Sequence, residues 1–138
     1  MTNGMPLRIL IVDDEPDIAH TLADGLELSG DIAYAAHDAV SALKLTEEFA
    51  PDVALLDIGL PDIDGFELAR RLHARHGKQL VIIAITGYGD DNHKARAVSA
   101  GFDAFLVKPA KIEQVRTVIK KLLEGRAAMA ATRNAAPS

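Results

Sequence analysis

The sequence predicts an α/β fold, a five-stranded parallel sheet flanked by helices on both faces, and three observations carry that prediction. Short apolar runs recur along the 138 residues, at 7–12, 32–36, 53–56, 80–85 and 104–107. Most are continuous rather than alternating, the pattern of strands buried on both faces of a parallel sheet. The stretches between them carry apolar residues at helical spacing, so strand and helix alternate, and right-handed crossovers then give three layers.

The elements follow in order. Residues 7–12 read as the first strand. Asp14 and Pro16 suit a helix start, and Ile18, Leu22 and Leu26 form its apolar stripe. Gly30 stands at a C-cap position before the second strand at 32–36. Asp38 opens a helix with the weaker stripe Ala39, Leu43 and Thr46, followed by the strand at 53–56. Asp64 opens a third helix with Phe66, Ala69 and Leu72 inward, and Gly77 closes it before the run at 80–85. The segment from Asp90 offers only Ala95, Ala97, Val98 and Ala100, so its helix is expected to be loosely anchored before Gly101 and the strand at 104–107. Ile112, Val115, Ile119 and Leu122 mark the last helix, widened by Val118 and Leu123. The expected organisation is an N-terminal extension over 1–6, one folded unit over 7–124 and an Ala-rich tail over 125–138, which either extends the last helix for a turn or two or, the favoured reading, frays or is disordered.

Composition narrows the function. Apolar residues make up 49% and charged residues 25%, which are globular proportions. There is no Cys, which excludes disulfides, zinc thiolate sites and cysteine nucleophiles. The longest apolar run, 80–85, is far short of the roughly 18 residues of a membrane span, and the first residues lack a secretory signal, so a soluble cytoplasmic protein is expected. A net charge of −5, with 4% aromatics and no Trp, argues against direct nucleic-acid binding.

The informative residues are those that end the strands. Asp13 and Asp14 end the first, Asp57 the third, Thr86 the fourth and Lys108 the fifth. In a parallel sheet these ends share one edge, and ligands bind there where the strand order reverses, as in the flavodoxin-like order 2-1-3-4-5. The first and third strands would then be neighbours, and three carboxylates would share a crevice. They would raise one another's pKa unless a cation intervened. Oxygen ligands without Cys or a nearby His favour a hard ion, Mg²⁺ or Mn²⁺. A lysine and a threonine hydroxyl aimed at the same point suit phosphoryl oxygens, so the set describes transfer of a phosphoryl group onto an aspartate.

Four segments resemble the signature of response-regulator receiver domains in two-component signalling: residues 10–15 (Leu-Ile-Val-Asp-Asp-Glu), residues 57–65 (Asp-Ile-Gly-Leu-Pro-Asp-Ile-Asp-Gly), Thr86-Gly87 and Lys108-Pro109. The resemblance covers about residues 7–124 and rests on the pieces occurring in order, each at a strand end. It implies that Asp57 is the phosphoacceptor, that Asp14, Asp57 and the Gly59 carbonyl ligate Mg²⁺, and that Asp13 acts largely through a bound water. Thr86 and Lys108 would bind phosphoryl oxygens. Thr86 and Phe105 would be switch residues, and the Lys108–Pro109 bond cis. The implied phosphodonor is a phosphohistidine on a histidine kinase or phosphotransfer protein. The implied output is a downstream protein, reached through the face of the fourth helix, fifth strand and fifth helix, or onward relay. Gly59 has no side chain to orient a hydrolytic water and the Tyr88 ring would obstruct it, so a long-lived phosphoryl group is expected.

Other readings stand beside this one. Phe105 reads equally as a strand aromatic that only packs. A haloacid-type phosphatase also uses Asp, Mg²⁺ and Lys, but it wants an Asp-x-Asp at the first strand, where this chain has Asp13-Asp14-Glu15. A receiver-like module acting without phosphorylation is the second rival. No residues remain for a DNA-binding output domain, so the expectation is a free-standing receiver or a piece of a longer protein, and not a turnover enzyme. The five histidines are dispersed, and metal binding by His73 and His76 is not favoured.

Overall fold

The computed structural model describes residues 5–87, 89 and 91–135. Among them, strands β1 (Arg8–Val12), β2 (Ile32–Ala36), β3 (Val53–Leu56), β4 (Val81–Thr86) and β5 (Ala104–Val107) alternate with five helices. These are α1 (Pro16–Leu28), α2 (Ala39–Leu45), α3 (Gly65–His76), α4 (Asp91–Ser99) and α5 (Ile112–Ala135). All strand pairs are parallel, in the order β2-β1-β3-β4-β5. This is the flavodoxin-like arrangement expected from the sequence. Only two strands shift: β1 begins at Arg8 rather than Leu7, and β4 is displaced by one residue to Val81–Thr86.

Alternation along the strands divides the apolar residues between two cores. Leu10, Val12, Leu56, Ile82 and Ala84 pack with Ala39 and Ala42 of α2, Phe66 and Leu72 of α3, and Ala97 of α4. Ile9, Ile11, Leu55, Ile83 and Ile85 pack on the opposite face with Leu22 and Leu26 of α1 and Val115 and Ile119 of α5. Every residue of β3 and β4 is buried, which is why those runs are continuous rather than alternating. Each enclosed Leu, Ile or Phe contributes about 1.5–3 kcal/mol, so both faces hold the sheet firmly.

The helix ends mostly follow the sequence signals. The Asp38 carboxylate accepts the Ser41 N–H at 2.7 Å, and that of Asp64 accepts the Glu67 N–H at 2.9 Å. Gly30, Gly77 and Gly101 have φ of 100°, 86° and 93° at the ends of α1, α3 and α4, the left-handed region that a Cβ disfavours. The start of α1 differs from expectation. Glu15, not Asp14, is its N-cap and makes no side-chain cap bond, while the Asp13 carboxylate accepts the Glu15 N–H at 2.9 Å. Asp90 lies outside the described residues.

α4 is as thinly anchored as its composition suggests, burying Ala97 while Val98 stays 75% exposed. α5 continues past Gly125 to Ala135, farther than the turn or two of helical extension that the sequence allowed. Alanine has the strongest helix propensity, and the Arg126 guanidinium donates to the Gln79 carbonyl and to the Asp103 carboxylate. Among the described residues, no helix is long and apolar enough to cross a membrane.

Candidate functional site

The parallel ladder continues beyond the strands and fixes the residues that follow them. The Asp13 N–H donates to the Ala36 carbonyl at 3.0 Å, the Asp57 N–H to Val12 at 2.8 Å, and the Lys108 N–H to Thr86 at 2.8 Å. Residues far apart in sequence are therefore held on one sheet edge by backbone bonds. Their side chains need no long-range search to meet.

One carboxylate oxygen from each of Asp13, Asp14 and Asp57 lies within 4.8 Å of the others. Asp13 and Asp57 are buried and Asp14 is exposed. The Lys108 ammonium reaches into the cluster, 2.9 Å from Asp13 Oδ2 and 3.2 Å from Asp57 Oδ2, with Glu15 Oε1 at 3.4 Å. Asp57 Oδ1 accepts the Gly59 N–H at 3.1 Å. Burial alone would pull the Lys108 pKa down, but the hydrogen bonds and charges of Asp13 and Asp57 more than reverse it and hold the pKa above the ordinary lysine value. The ammonium is thus a fixed positive charge.

Thr86 is fully buried as the last residue of β4. Phe105 is the register partner of Ala84 and packs partly buried against the core on the α2–α3–α4 side. The Lys108–Pro109 peptide bond is cis. Tyr88 lies outside the described residues. His73 Nε2 faces the Leu80 carbonyl at 3.3 Å, away from any acidic cluster among the described residues.

The structure adds two residues that the sequence reading left without a role. Glu15 joins Lys108, and its place directly after two aspartates at a strand end was the available signal. Asp62, in the loop after the Asp57 strand, accepts the N–H groups of Ala39 and Val40, each at 3.0 Å. No local pattern reveals that contact, because its partners lie 23 and 22 residues earlier.

Chemically, the donor set is oxygen only, with converging carboxylates, and it fits a hard divalent cation. One of these oxygens could act as nucleophile toward a phosphoryl group, while the lysine beside them meets the charge of that group.

Comparison with known proteins agrees with this geometry. The family model for the response regulator receiver domain matches residues 9–120. Response regulator MprA of Mycobacterium sp. (strain KMS) is 34% identical over 119 residues, which are 86% of this chain and 51% of that protein. The chain therefore spans about half the length of the curated relatives it matches. The crystal structure of a CheY-like receiver domain protein from Methanospirillum hungatei JF-1 superposes with a TM-score of 0.82 at 31% identity, covering 90% of this chain and 98% of that one. A Burkholderia pseudomallei response regulator, crystallised with a phosphorylated aspartic acid, calcium ion and citrate, gives a TM-score of 0.78 at 30% identity, covering 93% of this chain and 75% of that one. On its sheet topology, its acidic edge and its relatives, the chain belongs to the receiver domain family of two-component response regulators.

Proposed function

We propose that the chain accepts a phosphoryl group on Asp57 from a phosphohistidine of a histidine kinase or phosphotransfer protein. The carrying observation is the setting of the Asp57 carboxylate, with Oδ2 on the Lys108 ammonium, Oδ1 on the Gly59 N–H, and Asp13 and Asp14 alongside. The phosphorylated aspartic acid and calcium ion of the Burkholderia relative support the same reading. An Asp57 oxygen attacks phosphorus as the P–N bond breaks, and the imidazole leaves with its electron pair and takes up a proton. Lys108 meets the charge on the transferring oxygens, and its raised pKa keeps it protonated throughout. Asp13, Asp14, Asp57 and the Gly59 carbonyl would hold Mg²⁺, with Mn²⁺ as a substitute. When bound, such an ion offsets the charge of the carboxylates and of the phosphoryl oxygens.

Thr86 turns its hydroxyl toward the new phosphoryl group, and Phe105 follows into the space it leaves. This repacks the α4–β5–α5 face for a protein target, and the sparse anchoring of α4 keeps the cost low. Gly59 cannot orient a hydrolytic water, so the phosphoryl group is long-lived. The chain acts as a stoichiometric acceptor in the cytoplasm rather than as a phosphatase. In the test, acetyl phosphate with Mg²⁺ adds one phosphoryl mass to the wild type and none to Asp57→Asn. Equal labelling of the variant would overturn the assignment, and multiple turnover of a phosphate ester would favour the phosphatase.

A further inference from the structure

The loop between β3 and α3 carries Asp57 and Gly59, and its ends are tied within itself or to the sheet. The Asp57 N–H bonds to Val12, the Gly65 N–H bonds to the Ile58 carbonyl at 2.9 Å, and Asp64 caps its own helix. Between those ties stands Gly59. Its N–H is bonded to Asp57 Oδ1 at 3.1 Å, but a glycine has a wide range of backbone conformations and no side chain to wedge it, so the turn that follows helps to place its peptide. Ile58 and Leu60 on either side of it are buried in the core, and the hydrogen bonds that tie this loop to another helix come from Asp62. Both of its oxygens accept backbone N–H groups at the start of α2, Oδ1 from Ala39 and Oδ2 from Val40.

The division of labour at the start of α2 is unusual. The local N-cap, Asp38, serves Ser41, while Ala39 and Val40 are left to a carboxylate from the acceptor loop. A carboxylate receiving two N–H donors is a strong, directional contact. Desolvation pushes the Asp62 pKa up, and the backbone bonds led by Ala39 and Val40 together outweigh it, so the carboxyl lies below its ordinary value.

We infer that Asp62 is a positioning residue: by gripping the start of α2 it fixes the Gly59 peptide beside Asp57, and so sets cation affinity and the rate of phosphoryl uptake. The inference rests on the function proposed above and adds a residue to it. A corollary is that cation binding at the acidic edge is felt at the Ala39 and Val40 amides through the same latch.

Three variants of the full chain test this, with Mg²⁺ alone followed by calorimetry and amide NMR, and acetyl phosphate followed by mass. Asp62→Ala should weaken Mg²⁺ binding roughly tenfold, the low end of what losing a group that orients the ligands costs. It should also abolish the Mg²⁺-dependent shifts of Ala39 and Val40. Asp62→Asn, which keeps one acceptor oxygen, should fall between it and the wild type. Asp38→Ala removes a cap from the same helix without touching the loop and should bind Mg²⁺ as the wild type does. The latch is refuted if Asp62→Ala keeps wild-type affinity, or if Asp38→Ala matches its loss, since helix stability alone would then explain it. A wild type that binds no Mg²⁺ and takes up no phosphoryl group would instead remove the reading of Asp57 itself, and the latch with it.

Discussion

A methyl group at position 65 would stand 2.6 Å from the Asp57 carbonyl oxygen and 2.7 Å from the Ile58 Cα, both backbone atoms that cannot swing aside. Gly65→Ala should therefore push the acceptor loop off the start of α3. The expected cost is about 1–3 kcal/mol, the usual range for overpacking, together with slower acetyl phosphate labelling. Gly125 is the control, because nothing lies within 4 Å of a Cβ placed there. Gly125→Ala should stabilise α5 by about 0.5–1 kcal/mol through helix propensity alone. Chemical denaturation of both variants checks the pair, and similar changes at the two positions would contradict the steric argument. At this scale the legible site residues were those that end an apolar run, Asp13, Asp57, Thr86 and Lys108, because a parallel sheet converts that position into proximity. Asp62 was not legible as a partner of Ala39 and Val40, since its contact depends on how a loop folds back over another helix.

Elements were readable where burial dictates pattern and less so where one distant contact decides. All five strands appear as apolar runs because both faces of the sheet are covered. α4 shows the opposite case: with so few apolar positions, part of its hold comes from Arg96, whose guanidinium lies 4.1 Å from the centre of the Phe66 ring. In α5, the tail was read as starting at Gly125, yet a glycine inside a helix costs only about 1 kcal/mol, which Arg126 can offset. Its guanidinium pairs with Asp103 at 3.0 Å, and the other Asp103 oxygen accepts the Ile82 N–H at 2.9 Å, so α5 is tied to β4 just past Gly125. Arg126→Ala should cost about 1 kcal/mol, since the pair is partly solvated. Amide exchange should accelerate in the last turns of α5, with little change near Val115. Unchanged exchange there would mean that the Ala-rich stretch holds itself.

For the molecule as a whole, the same edge that gathers function gathers repulsion. Two cores clamp the sheet and force Asp13 and Asp57 together, and Lys108, with a side chain only 16% exposed, supplies the neutralising charge from within the chain. Because its pKa is raised, that contribution is complete at neutral pH and is lost only as pH climbs past the ordinary lysine range toward the raised value. In EDTA, Lys108→Ala should lose about 2 kcal/mol, below the figure for a fully enclosed pair because the edge opens on solvent. Mg²⁺ should raise the Tm of the wild type by linkage, with about 2.7 kcal/mol available at a hundredfold excess over Kd. It should raise the Tm of Lys108→Ala by more, because there the ion no longer competes with an ammonium for the same oxygens, and it should have little effect on Asp57→Asn. Thermal melts of the three proteins with and without Mg²⁺ decide the point. Equal increments in wild type and Lys108→Ala would show that lysine and cation do not share those carboxylates.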